Sequence, residues 1–112
     1  MDAIQMVRDA IGNPKDKCYM ASEAVLVLTG GKDSPWRPHV IRKEHMWPDG
    51  RISHWYLVHR DTGEILDLTA HQFPIDFEIP YDQGRPNGMM FHPAGGSKRT
   101  KQFIRKMEAK DD

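Results

Sequence analysis

Three side chains in this sequence have the chemistry of a thiol-based acyl-transfer site: Cys18, His54 and Asp67. A thiol becomes a strong nucleophile when it ionises, and both a helix amino terminus and a neighbouring imidazolium favour the thiolate. Cys18 lies where we predict a helix to begin, so its own backbone amide can also donate to an oxyanion. His54 can act as the base, and Asp67 can hold the other ring nitrogen and fix the tautomer. The predicted chemistry is attack on a carbonyl carbon.

Two helices are predicted ahead of the strands, and the second must carry the cysteine. Apolar residues recur at helical spacing over residues 2 to 11, with Asp2 near the start. The second helix is predicted from Cys18 to Thr29, where Gly30-Gly31 ends it. Because this segment is apolar around most of its circumference, we expect it to be the central, buried helix. Asp16 is predicted to cap its first amides.

A three-stranded antiparallel meander is predicted next, over residues 36 to 47, 52 to 60 and 65 to 69. Pro48-Asp49-Gly50 and Asp61-Thr62-Gly63 are the turns between these strands. A two-residue turn at Thr62-Gly63 would place His54 and Asp67 on one face of the hairpin, but several residues apart along it. Strand twist or a bulge would have to close that gap.

The rest of the chain predicts an ordered loop and a last helix. Residues 70 to 96 are rich in proline and glycine, and we expect their scattered rings to pin the loop as one wall of a cleft. Those rings are Phe73, Phe77, Tyr81 and Phe91. Ser97 is predicted to cap a C-terminal helix with one apolar face. The predicted fold class is α+β, one domain over residues 1–112, with the N-terminal helix packed on the meander.

The composition indicates a cellular compartment but no particular binding partner. The chain has 112 residues, and sixteen basic residues balance sixteen acidic ones, so its charge favours neither nucleic acid nor an anionic membrane. The single cysteine excludes an internal disulfide, and no apolar run approaches the roughly 20 residues that span a bilayer. The amino terminus lacks the order of a signal peptide. We therefore expect a cytoplasmic protein.

Several segments in this order resemble the small bacterial YunG-type proteins. They are the run from Cys18 to Ala24, then Gly30-Gly31, Ser53 to Tyr56, and Ile65 to Phe73, and the resemblance covers roughly residues 15 to 105. The arrangement is also distantly similar to papain-like and transglutaminase-like folds. That likeness implies a Cys-His-Asp triad, with hydrolysis or transfer of an amide, ester or thioester acyl group from a protein or small acyl substrate.

Further residues are weaker candidates for the site. Relatives carry a glutamine before the cysteine, where this chain has Lys17, so an oxyanion role for Lys17 is an open alternative to a solvated side chain. Gln72 can support the site or bond the loop. Trp55, Tyr81 and Phe91 are candidate substrate-binding residues. The six histidines match no compact zinc pattern, so we predict no metal and no cofactor.

A non-catalytic protein is the alternative hypothesis to an enzyme. A binding or inhibitor protein could keep the same fold and use the aromatic loop of residues 73 to 91 as its recognition surface. Such a protein, or an enzyme of this size, could belong to a phage and act on a host defence component.

Overall fold

The computed structural model describes residues 2–46, 53–88 and 96–110, with helices and strands in an α+β arrangement. The helices in these ranges are α1 (Ala3–Ile11), α2 (Cys18–Leu28) and α3 (Lys98–Lys110). The strands are β1 (Trp36–Ile41), β2 (His54–His59), β3 (Ile65–Leu66) and β4 (Arg85–Pro86). Trp47 and the predicted turn at residues 48–50 lie outside the described residues.

Helix α2 is the central helix, as its composition predicts. It packs against α1, α3 and β2, and Ala21, Ala24 and Val25 are fully buried. Full burial of an aliphatic side chain such as Val25 contributes about 1.5–3 kcal/mol. The cluster around α2 fills the space between the helices and one face of the sheet. Its buried members are Val7, Ile11, Ala21, Ala24, Val25, Leu26, Trp36, Leu57, Leu68, Ile104 and Met107.

Two of the three capping residues predicted for the helix starts are confirmed. Asp2 Oδ1 accepts a hydrogen bond from the Gln5 amide at 2.8 Å, and Ser97 Oγ accepts one from the Thr100 amide at 3.3 Å. The prediction for Asp16 is wrong, because Lys17 is the N-cap of α2 and supplies no side-chain cap. Asp16 instead has a φ of 60°, a left-handed conformation that turns the chain into the helix.

The sheet is antiparallel in the order β3-β2-β1-β4. Three strands were predicted and the described residues contain four, because Arg85–Pro86 from the aromatic loop pairs with β1. Proline lacks an amide donor and is tolerated at a sheet edge, which is where this short strand lies. β1 is shorter than predicted, since a 3₁₀ turn over Lys43–His45 follows Ile41.

The β2–β3 hairpin has a longer turn than predicted. Leu57 pairs with Leu66, and the His59 amide donates to the Glu64 carbonyl at 2.8 Å, so residues 60–63 form the connection. A two-residue turn would have placed Asp67 across from Val58, whereas this register continues to Tyr56. The two extra turn residues bring Asp67 two positions closer to His54, and no bulge is needed for the approach.

The aromatic loop covers the other face of the sheet, a position that the sequence did not predict, and its rings pin it there. Tyr81 packs on Tyr56 with ring centroids 5.0 Å apart, and Phe73 packs on Phe77 at 5.2 Å. The loop passes so close to the sheet that a Cβ at Gly84 would lie 1.7 Å from Tyr56 Oη. Phe91, the fourth predicted ring, lies outside the described residues.

Candidate active site

Cys18 is the first residue of α2 and is 5% exposed. Its sulfur lies 3.8 Å from the carbonyl oxygen of Ser53, the residue that precedes β2. Lys17, the N-cap of α2, makes no side-chain cap hydrogen bond, so the first amides of the helix have no acceptor from it. The start of the helix therefore combines a thiol with an electropositive backbone.

His54 and Asp67 form a buried pair next to this thiol. His54 Nε2 lies 2.6 Å from Asp67 Oδ2, and the two side chains are 1% and 5% exposed. The Thr69 amide donates to Asp67 Oδ1 at 3.2 Å, and Tyr81 Oη donates to Oδ2 at 2.7 Å. Because Asp67 occupies Nε2, the nitrogen left to exchange a proton with the thiol is Nδ1.

The protonation of His54 reflects its two acidic neighbours. Burial opposes the charged imidazolium, but the hydrogen bond to Asp67, the interaction with Cys18 and their negative charges outweigh it and raise the pKa of His54 to about 9. Nδ1 is buried and makes no hydrogen bond of good geometry, while the thiol is directed at Ser53. Catalytic hydrogen bonds are often loose without substrate.

Rings fix the position of the imidazole. Phe73 meets the His54 ring edge to face at 5.1 Å, and Tyr56 stacks on it at 6.2 Å. The face of β2 that bears His54 is thus the face under the aromatic loop. The rotamer of His54 is held by packing as well as by the bond to Asp67.

A cleft of about 520 Å³ opens onto His54 and Ser53. One wall is the loop before α2 and the other is the start of the aromatic loop. Its lining consists of Asn13, Pro14, Lys15, Asp16, Met46, Ser53, His54, His71, Gln72 and Phe73. Cys18 is not in this lining, so its sulfur must turn from the Ser53 carbonyl to reach a bound molecule.

The weaker sequence candidates have varied positions. Lys17 Nζ donates to the Ile11 carbonyl at 2.7 Å and does not line the cleft, so it links α1 to α2, and its oxyanion role stays a prediction. Gln72 lines the cleft and donates to Thr69 Oγ1 at 3.1 Å. Trp55 is on the opposite face of β2 from His54, where it packs on Tyr19 at 5.0 Å.

Two of the predicted substrate-binding residues have other contacts in the structure, and their role in binding stays a prediction. Trp55 belongs to the helix-facing core because side chains alternate along a strand, and Tyr81 reaches Asp67 rather than the cleft. The loop at residues 13–16 and the hydrogen bond from Tyr81 to Asp67 were not predicted from the sequence. Strand alternation was a usable signal for Trp55, whereas contacts between distant loops leave no local pattern.

Within the described ranges, no three Cys, His, Asp or Glu side chains are grouped so that they could hold a metal ion. No helix in the described part of the chain has the length and apolar character to cross a membrane. Comparisons with protein-family models, curated proteins and solved structures found no match to this chain. The site's own geometry must therefore carry the argument about function.

Proposed function

We propose that this chain is a cysteine-dependent hydrolase or acyltransferase acting on an amide, ester or thioester. Cys18 is the nucleophile, His54 the general base and acid, and Asp67 the residue that orients His54. The observation that carries the proposal is the 2.6 Å pair of buried His54 and Asp67 beside a thiol at a helix amino terminus.

The reaction follows from these positions. The Cys18 sulfur, whose proton already lies on His54 Nδ1 in the resting pair, attacks the carbonyl carbon, and the carbonyl oxygen becomes an oxyanion facing the first amides of α2. His54 then returns the proton to the leaving group as the carbon–leaving group bond breaks, which leaves an acyl-cysteine. Water or a second nucleophile, deprotonated by His54, releases the acyl group and restores the thiol.

The raised pKa of His54 supports an ion pair as the resting state. With a pKa of about 9, His54 is protonated near neutral pH. An imidazolium next to the thiol favours transfer of the thiol proton and a sulfur that already carries negative charge. Asp67 is nearly excluded from water, so its attraction for the imidazolium is little screened.

The order of the three residues along the chain also supports the proposal, because it resembles the order in known proteins. A cysteine that begins a helix, then a histidine followed by aromatic residues on a strand, then a segment that contains an aspartate is an order that resembles the YunG-type proteins, and distantly papain-like and transglutaminase-like enzymes. The cleft mixes apolar Met46 and Phe73 with the amides of Asn13 and Gln72, a surface suited to a polar acyl group.

The test is the pH dependence of Cys18 alkylation by iodoacetamide, with the unfolded chain as reference. We expect the folded protein to react at about pH 6, where a thiol of ordinary pKa near 8.5 is almost fully protonated. His54→Ala should lose this reactivity. His71→Ala, which removes another histidine of the same cleft, should keep it. A thiol that reacts only after unfolding would contradict the proposal and make Cys18 a core residue.

A binding protein is the second candidate, and one observation favours it. Ile75 is fully exposed at the tip of the aromatic loop, two residues from the cleft wall at Phe73. A stable complex with a protein partner that survives Cys18→Ala but is lost in Ile75→Ser would favour this function. An acyl-enzyme intermediate on Cys18 would favour the enzyme.

A further inference from the structure

Tyr81 and His54 share one acceptor. Tyr81 Oη lies 2.7 Å and His54 Nε2 lies 2.6 Å from the same oxygen, Asp67 Oδ2. We propose that Tyr81 is a positioning residue of the site, whose hydroxyl holds part of the Asp67 charge so that His54 can release its proton to the leaving group. This inference rests on the proposed function and assigns a fourth residue to it.

The position of Tyr81 is fixed by the loop around it. Its carbonyl oxygen accepts a hydrogen bond from Tyr56 Oη at 3.2 Å, and the two rings pack at 69°. Gly84, which follows a 3₁₀ turn over Tyr81–Gln83, leaves the room that the Tyr56 hydroxyl needs. The packing of the two rings, which does not depend on the Tyr56 hydroxyl, therefore holds the backbone from which the Tyr81 phenol reaches Asp67.

The need for a second donor comes from the reaction cycle. While His54 is an imidazolium, its positive charge compensates Asp67. When His54 gives its proton to the leaving group, Asp67 stays behind at 5% exposure beside a neutral ring. A buried carboxylate in that state needs other donors, and without Tyr81 it would attract the His54 proton more strongly. Tyr81 thus weakens the hold of Asp67 on that proton.

Tyr81 remains a hydrogen-bond donor to Asp67 near neutral pH and well above it. Burial, the hydrogen bond to Asp67 and the nearby negative charge all raise the pKa of Tyr81, so the phenol stays protonated and stays a donor. In the described elements packed on His54, the titratable neighbours are Cys18, Tyr56, Asp67 and Tyr81, and the cleft adds Lys15, Asp16 and His71. Tyr81→Phe changes one of these and keeps its ring.

The test is the pKa of His54, measured by NMR titration of its ring in the folded protein. The Tyr81 hydroxyl stabilises the charge of Asp67, and its removal leaves more of that charge to favour the protonated form of His54. We expect Tyr81→Phe to raise the pKa of His54 by about one unit. We expect 3-fluorotyrosine at position 81, a stronger donor of nearly the same shape, to lower it.

Tyr56→Phe is the matched control. It removes a hydroxyl from the same aromatic cluster, but that hydroxyl donates to the Tyr81 carbonyl and leaves the three donors of Asp67 in place. Its His54 pKa should stay within a few tenths of the wild-type value. Equal shifts in Tyr81→Phe and Tyr56→Phe, or no shift in Tyr81→Phe, would overturn the role of Tyr81.

The titration does not depend on turnover. If wild-type Cys18 does not react with iodoacetamide, the proposed function is wrong, but the measured effect of Tyr81 on the pKa of His54 still holds. A reactive Cys18 with a His54 pKa that ignores position 81 would sink the inference alone.

Discussion

Asp67 Oδ2 lies 2.6 Å from His54 Nε2, although the two residues are 13 positions apart and are joined through a hairpin. The pairing depends on the four-residue connection between β2 and β3, which sets the register that carries Asp67 toward the start of β2. The length of an exposed turn thus determines the geometry of a buried pair.

Asp67→Asn should change how stability depends on pH. Because the pKa of His54 is about 9 in the folded protein and near 6.5 when unfolded, its contribution is fully present below about pH 6.5 and is lost as the pH rises through 9. In a Cys18→Ala background, where no thiol supplies the His54 proton, this loss amounts to about 3 kcal/mol, an order-of-magnitude figure. Asp67→Asn should remove most of it.

Urea denaturation at about pH 6 and about pH 9.5 measures this difference. Asp61→Asn is the control, because Asp61 is 70% exposed in the same hairpin and does not touch His54. Identical pH dependence in the two variants would mean that Asp67 does not hold the His54 charge.

Gly84→Ala should destabilise the protein by about 1–3 kcal/mol, since the new Cβ would lie 1.7 Å from Tyr56 Oη and the loop must move. Gly88→Ala is the matched control, because a Cβ there meets nothing within 4 Å. The cost should shrink in a Tyr56→Phe background. Equal unfolding free energies for Gly84→Ala and Gly88→Ala would show that the loop does not approach Tyr56 so closely.

Lys17→Met should lower the free energy of unfolding by about 1 kcal/mol, because it removes the hydrogen bond from Nζ to the Ile11 carbonyl. The rate of Cys18 alkylation should stay within about twofold of wild type. Lys32→Met, at an exposed lysine, controls for the change in net charge. A large drop in alkylation would support the role near the thiol that the sequence suggested for Lys17.

Glu23→Ala should loosen α3. Glu23 is 1% exposed on α2, and its Oε1 accepts from the Ser97 amide at 2.7 Å, directly before α3. Loss of the acceptor should cost about 2–3 kcal/mol, whereas Glu23→Gln keeps a carbonyl oxygen there and should cost less. Hydrogen exchange of the first α3 amides distinguishes the two, and equal protection in both variants would contradict the anchoring role.

The sequence was sufficient for parts of the site that depend on local pattern. An apolar run bounded by Gly30-Gly31 predicted a helix with Cys18 at its start, and alternating β-formers predicted the strand that bears His54. The register between His54 and Asp67 was not predictable, because a two-residue and a four-residue turn fit the same Asp61-Thr62-Gly63 signal. β4 was not predicted, because proline argues against a strand unless that strand lies at the edge of a sheet. The sequence alone does not show that Pro86 lies at such an edge.

The hydrogen bond from Arg99 Nη1 to the Asp16 carbonyl, 3.1 Å long, joins residues 83 positions apart. Asp16 is part of the cleft wall and lies two residues before Cys18. During synthesis this hydrogen bond cannot form until Arg99 has left the ribosome. A nascent chain that ends before Arg99 therefore lacks a contact that holds the cleft wall next to Cys18.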